Sequence, residues 1–405
     1  MKPQHTRHAP RNAPGLPKTK SRKPAAPCNS EETHIMTGTK RTLATTTATT
    51  AALGLALGAG AALASPQTIE LTIASSHPTT IAWVGGMPDH FQPEVNRCLA
   101  ENGDEYTISW REAFGGQLYR ANATLNSIGD GITDLGWVFI GMETSALPLM
   151  QLGAVTPFVS DDLPTMMQAV NAAHDEVEAL RQQWEDNNVV FLGASGNDTY
   201  DLFLRAPITS VAELQGLRLT APQSLSLWLM NSGAALREGG LTSYYTDIQT
   251  GLAEGTISMA TGILPVNVYE VAPYIVQTNI GAIWNGALAI NMDVYEGLPE
   301  VVQQCMHVGG RHYSVAHAED VMTRAQTATE EMLERGASQN PPVQLVAFPE
   351  EEREIWAAML PNIAGDWVER NGPAAAEVLN AYMNAMREAG ATPLRDWDLE
   401  TAAGQ

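Results

Sequence analysis

Strands and helices alternate along this chain, and that alternation limits it to a small set of folds. Thr68 to Ser75 alternates apolar and polar side chains and then meets His77-Pro78, the pattern of a strand that ends in a loop. The periodicity predicts a helix from Trp83 to Asn102, a strand from Tyr106 to Trp110, a helix from Leu118 to Gly129 and a strand from Thr133 to Phe139. Parallel strands need a crossover that packs back on the sheet, so this order implies an α/β layer with a mainly parallel sheet. Ligands in such sheets gather at the carboxyl ends of the strands. The loops after Ser75, Trp110 and Trp137 are therefore marked as candidate binding loops.

A second set follows. Leu163 to Asn187 reads as a helix and Val189 to Ala194 as a strand, leading into the polar, turn-prone Gly196-Asn197-Asp198-Thr199, a candidate crossing between two lobes. Strands are expected at Tyr200 to Leu204, Leu217 to Ala221 and near Ile257, with helices from Leu225 to Gly233 and Thr246 to Ala253. Ala282 to Asn291 reads as a strand returning to the first lobe. Leu298 to Arg335 is a nearly uninterrupted helical pattern, longer than a usual globular helix, and it is suited to bracing both lobes. Helices from Glu350 to Asn371 and Ala374 to Gly390 finish the chain, and no internal repeat is visible.

The first 64 residues read as an address label. Met36 opens a stretch with Lys40 and Arg41, then the apolar run Ala51 to Leu63, then Ala62-Leu63-Ala64, the pattern of a secretory signal with cleavage expected after Ala64. The apolar run is too short for a membrane span of about 20 residues. The 341 residues that follow exceed one usual hydrophobic core, which implies two lobes. They carry 14 Arg, no Lys and 43 acidic side chains, a formal charge of −29. That field repels phosphate backbones and anionic lipid, excluding nucleic-acid binding and peripheral membrane attachment, and it suits a salt-rich medium that screens like charges. Cys98 and Cys305 are free to pair in an oxidising compartment or to remain as buried thiols. No Cys or His spacing supports a metal site or a redox motif, so no metal or cofactor is expected.

The segments AELQGLRLTAP (Ala212 to Pro222), YTDIQTGLAEG (Tyr245 to Gly255), EVAPY (Glu270 to Tyr274) and NMDVYEGLP (Asn291 to Pro299) stand in an informative order. With WREAFGGQL at Trp110 to Leu118 and GDGITDLG at Gly129 to Gly136, they resemble the DctP-type solute-binding proteins of tripartite ATP-independent periplasmic (TRAP) transporters, from Ile69 to Arg387. The resemblance implies an α/β, two-lobed periplasmic solute-binding protein fold with cross-over strands and a long spanning helix, closing over a ligand between the lobes. Lobe I would be residues 68–197 plus 286–325, and lobe II residues 198–285 plus 326–405. It further implies a periplasmic monomer that hands a small molecule to the membrane subunits of a sodium-coupled transporter, without reaction on the ligand.

Where the chain departs from the family pattern, the ligand comes into question. The resemblance implies an Arg that holds a substrate carboxylate in the segment Gly216 to Pro222, yet that place carries Thr220; a second family Arg, seven residues before Pro207, is replaced by Tyr200. The family's Asn-Pro after Asp-Gly falls near Ser258-Met259. Thr and Tyr cannot copy the paired, charge-assisted hydrogen bonds of a guanidinium. The candidate ligand residues are Trp83, Glu112, Phe139, Tyr200, Thr220, Tyr244, Trp284 and Asn285, several aromatics with one acid. Aromatic faces attract ammonium groups and a carboxylate supplies the counter-charge, so a small amine or ammonium compound such as an amino alcohol is the leading expectation, its hydroxyl held by Thr220 and Asn285. The alternative is an organic carboxylate held by Arg218, Arg205 or Arg111. Each aromatic could equally be a core residue.

No G-x-S-x-G, H-E-x-x-H, P-loop or dinucleotide fingerprint is present, and the nine His residues form no spaced cluster, so no enzyme class is indicated. An extracytoplasmic sensor subunit that binds the same ligand is the rival role, and neighbouring genes would separate it from transport. The charge generates a prediction of its own. Self-repulsion at −29 destabilises the compact state, so the melting temperature should rise steadily as NaCl goes from about 0.05 M to about 1 M, where the screening length falls to about 3 Å. A flat or falling profile would remove the argument for salt adaptation.

Overall fold

The structure is a computed structural model that describes residues 65–404; the expected signal segment lies outside them. The first strands and helices follow the pattern of alternation. β1 (Gln67–Ala74), the helix α1 (Ala82–Gly86) continued through a π-helical turn at Met87–Phe91 into α2 (Gln92–Glu101), β2 (Tyr106–Ala113), α3 (Thr124–Gly129) and β3 (Leu135–Phe139) occupy the first third. After α4 (Leu152–Val155), Asp162 caps α5 (Leu163–Glu176) by accepting from the Thr165 amide. The helix expected to run on to Asn187 breaks at Val177, whose backbone is extended, and α6 (Glu178–Glu185) is a separate piece. β4 (Val189–Asn197) continues three residues past its expected end, so the bend between lobes narrows to Asp198 and Thr199 before β5 (Tyr200–Leu204) begins.

The second set contains β6 (Arg218–Ala221), β7 (Ala235–Glu238), α7 (Leu241–Gln249), β8 (Gly255–Met259), α8 (Ala260–Ile263) and β9 (Tyr274–Gln277). β7 is too short and too polar to stand out in the sequence. The helix expected from Leu225 is instead a 3₁₀ segment at Gln223–Leu229, and α7 begins at Leu241, five residues ahead of the expectation, because Gly240 and Ser243 close its first turn. The chain returns through β10 (Ile283–Asn291), α9 (Met292–Gly297) and α10 (Glu300–Arg335), and ends with β11 (Gln344–Ala347), α11 (Glu350–Met359), α12 (Ile363–Asn371), α13 (Pro373–Glu388) and α14 (Trp397–Ala403). One helix was expected over Glu350 to Asn371. Pro361 interrupts it, since the residue before a proline is pushed out of helical geometry, and Asn362 caps the new start by accepting from the Gly365 amide at 2.8 Å.

Two sheets result. The first has the order β2-β1-β3-β10-β4 and the second β11-β9-β5-β8-β6-β7. β1, β2 and β3 are parallel, while β10 runs antiparallel between β3 and β4. In the second sheet β6, β7 and β8 are parallel and β5 is antiparallel to β8, with Tyr200 beside Met259. The carboxyl ends of both parallel sets therefore point at the same place, where the chain crosses from β4 to β5 and from β9 to β10. The long helix α10 packs on α2, β4 and α5, and farther along on α8 beside the second sheet. It is tied to α2 by a disulfide between Cys305 and Cys98. One apolar cluster backs both sheets through α5 and α11–α14, a second fills the space between the first sheet, α2 and α10, and a third lies between the second sheet and α7.

The seat of α10 on β4 is made of glycine. A methyl group on Gly193 would stand 2.1 Å from the Gly310 carbonyl oxygen, and one on Gly310 would stand 2.3 Å from the Leu192 carbonyl oxygen. Neither backbone atom has a flexible end that could yield. Gly193→Ala should accordingly lower the unfolding free energy by about 2–3 kcal/mol or prevent folding, as overpacking of a closed core does. A denaturant midpoint equal to that of the parent chain would show that the helix can lift off the strand at little cost.

Candidate functional site

Where the two sets of strand ends meet, the first sheet presents a row of aromatic rings. Trp137 and Phe139 lie two residues apart on β3 and share one face of the sheet; their rings stack with centroids 5.5 Å apart. Trp83, at the start of α1, leans on Trp137 at 5.8 Å, and His77, from the loop after β1, meets it edge-on at 5.5 Å. Trp137 is fully buried, whereas Trp83, Phe139 and His77 are half-buried and flank it. Burial lowers the pKa of His77, so its ring is neutral near neutral pH. The indole nitrogen of Trp83 is buried and has no hydrogen-bond partner among the described residues. Gly286 makes room for this wall: a Cβ there would stand 2.4 Å from the Trp137 indole nitrogen.

Behind the rings runs a chain of buried polar groups. Trp137 Nε1 donates to Ser195 Oγ at 2.8 Å, Ser195 Oγ donates to Asn285 Oδ1 at 3.4 Å, and Asn285 Nδ2 donates to Asn197 Oδ1 at 2.7 Å. Asn285 owes its position to a β-bulge: Trp284 pairs with Gly196 and Gly286 with Ser195, so Asn285 is the extra residue of β10. Bulges re-aim a side chain in this way. The chain thus runs from the aromatic wall of the first sheet to Asn197, the last residue of β4 before the crossing.

In the second sheet the polar groups cluster one layer deeper. Thr220, on β6, is fully buried and donates to Asp247 Oδ2 on α7 at 3.1 Å. Directly beside Thr220, in register on the parallel neighbour β7, stands Arg237. Its Nε is 3.3 Å from Asp247 Oδ1, and its side chain is 47% exposed against 7% for Asp247. Nη1 and Nη2 of Arg237 have no hydrogen-bond partner among the described residues. Gly239 allows the cluster to close, since a Cβ there would reach within 2.3 Å of Thr220 Oγ1.

The eight residues singled out in the sequence fall into different places. Trp83, Phe139 and Asn285 are brought together by the wall and its polar chain, while Tyr200 is buried at the start of β5 with its ring edge-on to Trp228 at 5.6 Å. Thr220 and Tyr244 lie in the second sheet's cluster, both buried, with the phenol of Tyr244 close enough to that of Tyr200 to help raise its pKa beyond burial alone. Trp284 packs in the large core beside His174, its indole nitrogen unpartnered. Glu112 is exposed on β2, the edge strand of the first sheet. Of the arginines weighed, Arg218 is bound to Glu254 and to the Gly251 carbonyl, Arg205 follows the far end of β5, and Arg111 is exposed on β2. Arg237, Asp247, Trp137, Ser195 and Asn197 were not read from the sequence. Arg237 gave no signal, because a charged residue in an unrecognised four-residue strand looks like surface.

The bend itself holds two acids. Asp198 accepts from the Thr261 hydroxyl and from the Thr261 amide at 3.2 Å, and Asp201 accepts from the Asn279 amide at 2.8 Å. Burial pushes their pKa values up to about 6 and about 7 from an ordinary 3.8. Among the described residues no group of His, Cys, Asp or Glu is arranged to hold a metal, and no helix is long and apolar enough to cross a membrane.

Two facing α/β layers with ligand-competent strand ends at a shared crossing define a two-lobed solute receptor. The family model described as bacterial extracellular solute-binding protein, family 7, matches residues 102–362, and the chain belongs to that family. Members work as extracytoplasmic receptors of TRAP transporters: they bind a small molecule and act with membrane subunits, and they are not a class of enzymes. Among solved structures the fold is similar to a TRAP solute-binding protein from Desulfovibrio salexigens in an open form, at TM-score 0.67 and 18% identity over 79% of this chain and 96% of that one. It is also similar to the pyroglutamic-acid-binding receptor DctP7 of Bordetella pertussis, at TM-score 0.61 and 16% identity over 78% and 99%. A Sulfitobacter receptor with bound β-D-galacturonate matches at TM-score 0.60 and 18% identity over 78% and 100%. Among curated proteins none matches.

The two acids at the bend generate a pH prediction. A carboxyl whose pKa is raised on folding binds more protons folded than unfolded, so stability falls as pH rises. For Asp201 that loss should run from about pH 4, the unfolded value, to about pH 7. Asp201→Asn should flatten this part of the stability profile and raise the melting temperature above pH 7. An unchanged slope between the two chains would show that Asp201 ionises as freely in the folded state as in the unfolded one.

Proposed function

We propose that this chain is the receptor of a TRAP transporter for a small organic carboxylate, clamped in the cleft between Arg237 and the aromatic wall. The observation that carries the reading is the register of β6 and β7. The site that the family resemblance assigns to a carboxylate-binding arginine holds Thr220, and the residue at the same height on the next strand is Arg237. Neighbours in register on parallel strands project to the same face of the sheet, so a guanidinium one strand away serves the same region. Asp247 grips it at Nε and leaves the two terminal nitrogens, the pair that suits a carboxylate, without a partner among the described residues. Thr220 accounts for the second oxygen of Asp247 and so helps to aim the pair.

The aromatic wall then takes the body of the ligand. A ring face lies flat against a sugar or a small heterocycle, and the free N–H of Trp83 offers one hydrogen bond to an oxygen on it. The carboxylates named for the similar Bordetella and Sulfitobacter receptors fit this chemistry. The ammonium reading has less support: its counter-charge, Glu112, is exposed on the edge strand of the first sheet, where solvent screens it. Of the two readings open in the sequence, the carboxylate is the preferred one, held by Arg237 rather than by Arg218, Arg205 or Arg111.

A thermal-shift and calorimetry panel of D-glucuronate, D-galacturonate, pyroglutamate, ethanolamine and choline tests it. At least one acid should stabilise the chain, by about 2.7 kcal/mol at 100 times its dissociation constant. Arg237→Gln should weaken that acid tenfold or more, as loss of a charge-assisted pair does. Stabilisation by the amines alone, or an acid whose affinity ignores Arg237→Gln, would overturn the assignment.

A further inference from the structure

On the outer side of the first lobe, away from the cleft, α5, α6, β4, α9 and α10 enclose a cavity of about 530 Å³. Its floor is apolar and aromatic. Phe191 is buried on β4, and the ring of His174 stacks on it at 3.7 Å between centroids. Val190, Met292 and Tyr295 are the other apolar walls. The two histidines at the cavity carry no charge at neutral pH: burial holds His174 down to about 3 and also lowers His307, whose Nε2 is 3.0 Å from the Tyr295 hydroxyl.

The charged groups are unevenly satisfied. Arg181 is occupied by the carbonyl oxygens of His174 and Asp175, at 2.7 and 2.8 Å, which ends α5. Arg311 lies 5.5 Å from the centre of the Phe191 ring and pairs with Asp175 through Nη2, yet its Nη1 is buried without any partner among the described residues. A buried guanidinium nitrogen left unmatched is costly, and native structures rarely leave one so. Around the mouth stand Glu185 and Glu296, both exposed. A simple anion would satisfy Arg311 but meet these two acids at the rim. A simple cation would suit the rim and leave Arg311 as it is.

We propose that this cavity is a second solute site, distinct from the interlobe cleft, for an apolar α-amino acid. Its carboxylate pairs with Arg311 Nη1, its ammonium group faces Glu185 and Glu296, and its apolar side chain packs along Val190, Met292 and Tyr295. The three parts of such a molecule answer the unpartnered Arg311 nitrogen, the acidic rim and the apolar walls, and no one of them alone does. The site sits between α5, α6, α9 and α10 at the start of β4, the end of that strand away from the crossing. This proposal is independent of what the cleft binds.

Calorimetry with L-phenylalanine, benzoate and phenethylamine as probes tests it on the full mature chain. Phenylalanine should bind, benzoate and phenethylamine should each bind at least tenfold more weakly, and Arg311→Gln should weaken phenylalanine tenfold or more. Met292→Trp fills the cavity while keeping Arg311, so it should abolish binding even if the first variant folds poorly. Arg237→Gln should leave phenylalanine affinity unchanged, which separates this site from the cleft. Absence of phenylalanine binding, binding that ignores both cavity variants, or binding lost with Arg237→Gln would overturn the proposal.

Discussion

Everything in the crossing region rests on one backbone-to-backbone contact, the seat of α10 on β4 at Gly193 and Gly310. Because no Cβ intervenes, the helix axis approaches the strand as closely as peptide groups permit. That approach clamps β4 from one side while β10 pairs with it along its length. The two strands that carry the chain between sheets are thereby fixed at their first-lobe ends. They are left to bend only over Asp198 and Thr199 and over the short return before Ile283. A receptor that must close on a ligand needs rigid bodies joined by few residues, and this seam supplies one of the rigid bodies.

The polar chain from Trp137 through Ser195 and Asn285 to Asn197 has meaning only on that frame. Buried polar groups are tolerated when each finds a partner, and here the partners come from β3, β4 and β10. The bulge at Asn285 turns a position that regular pairing would use for the ladder into one that reaches the last residue of β4. The aromatic wall is built the same way, with Gly286 giving up its side chain so that Trp137 can lie flat across it. Gly193, Gly310, Gly286 and Gly239 thus stand where a helix, a ring or a polar cluster must come close.

The fold was largely legible along the chain, and the site only in part. β1, β3, β5, β10 and α10 stand out because their apolar periods are long or regular and their ends carry turn chemistry. β7, β9, β11 and α14 do not stand out because they are too short to show a period, and pairing with neighbouring segments rather than pattern defines the strands among them. The split between α11 and α12 was written in Pro361 and Asn362 but was outweighed by the helical period on both sides. Among the candidate residues, Trp83, Phe139 and Asn285 gather around Trp137 and its polar chain, which follows from their places near the crossing. Trp284 is as near the crossing in the sequence but packs in the core beside His174, since which way a side chain points beside a bulge is decided by its neighbours.

By itself the sequence determined the α/β class, the two-lobed receptor family and the strongly acidic surface, because periodicity, ordered motifs and charge are properties of the chain alone. The pairing of Cys98 with Cys305 was left open, and only the packing of α2 against α10 decided it. The carboxylate ligand that we propose likewise draws on tertiary structure. Thr220 and Arg237 are separated along the chain by a 3₁₀ segment and a turn, and strand pairing alone sets them side by side. Register is a relation between segments, and no residue carries it before the sheet forms.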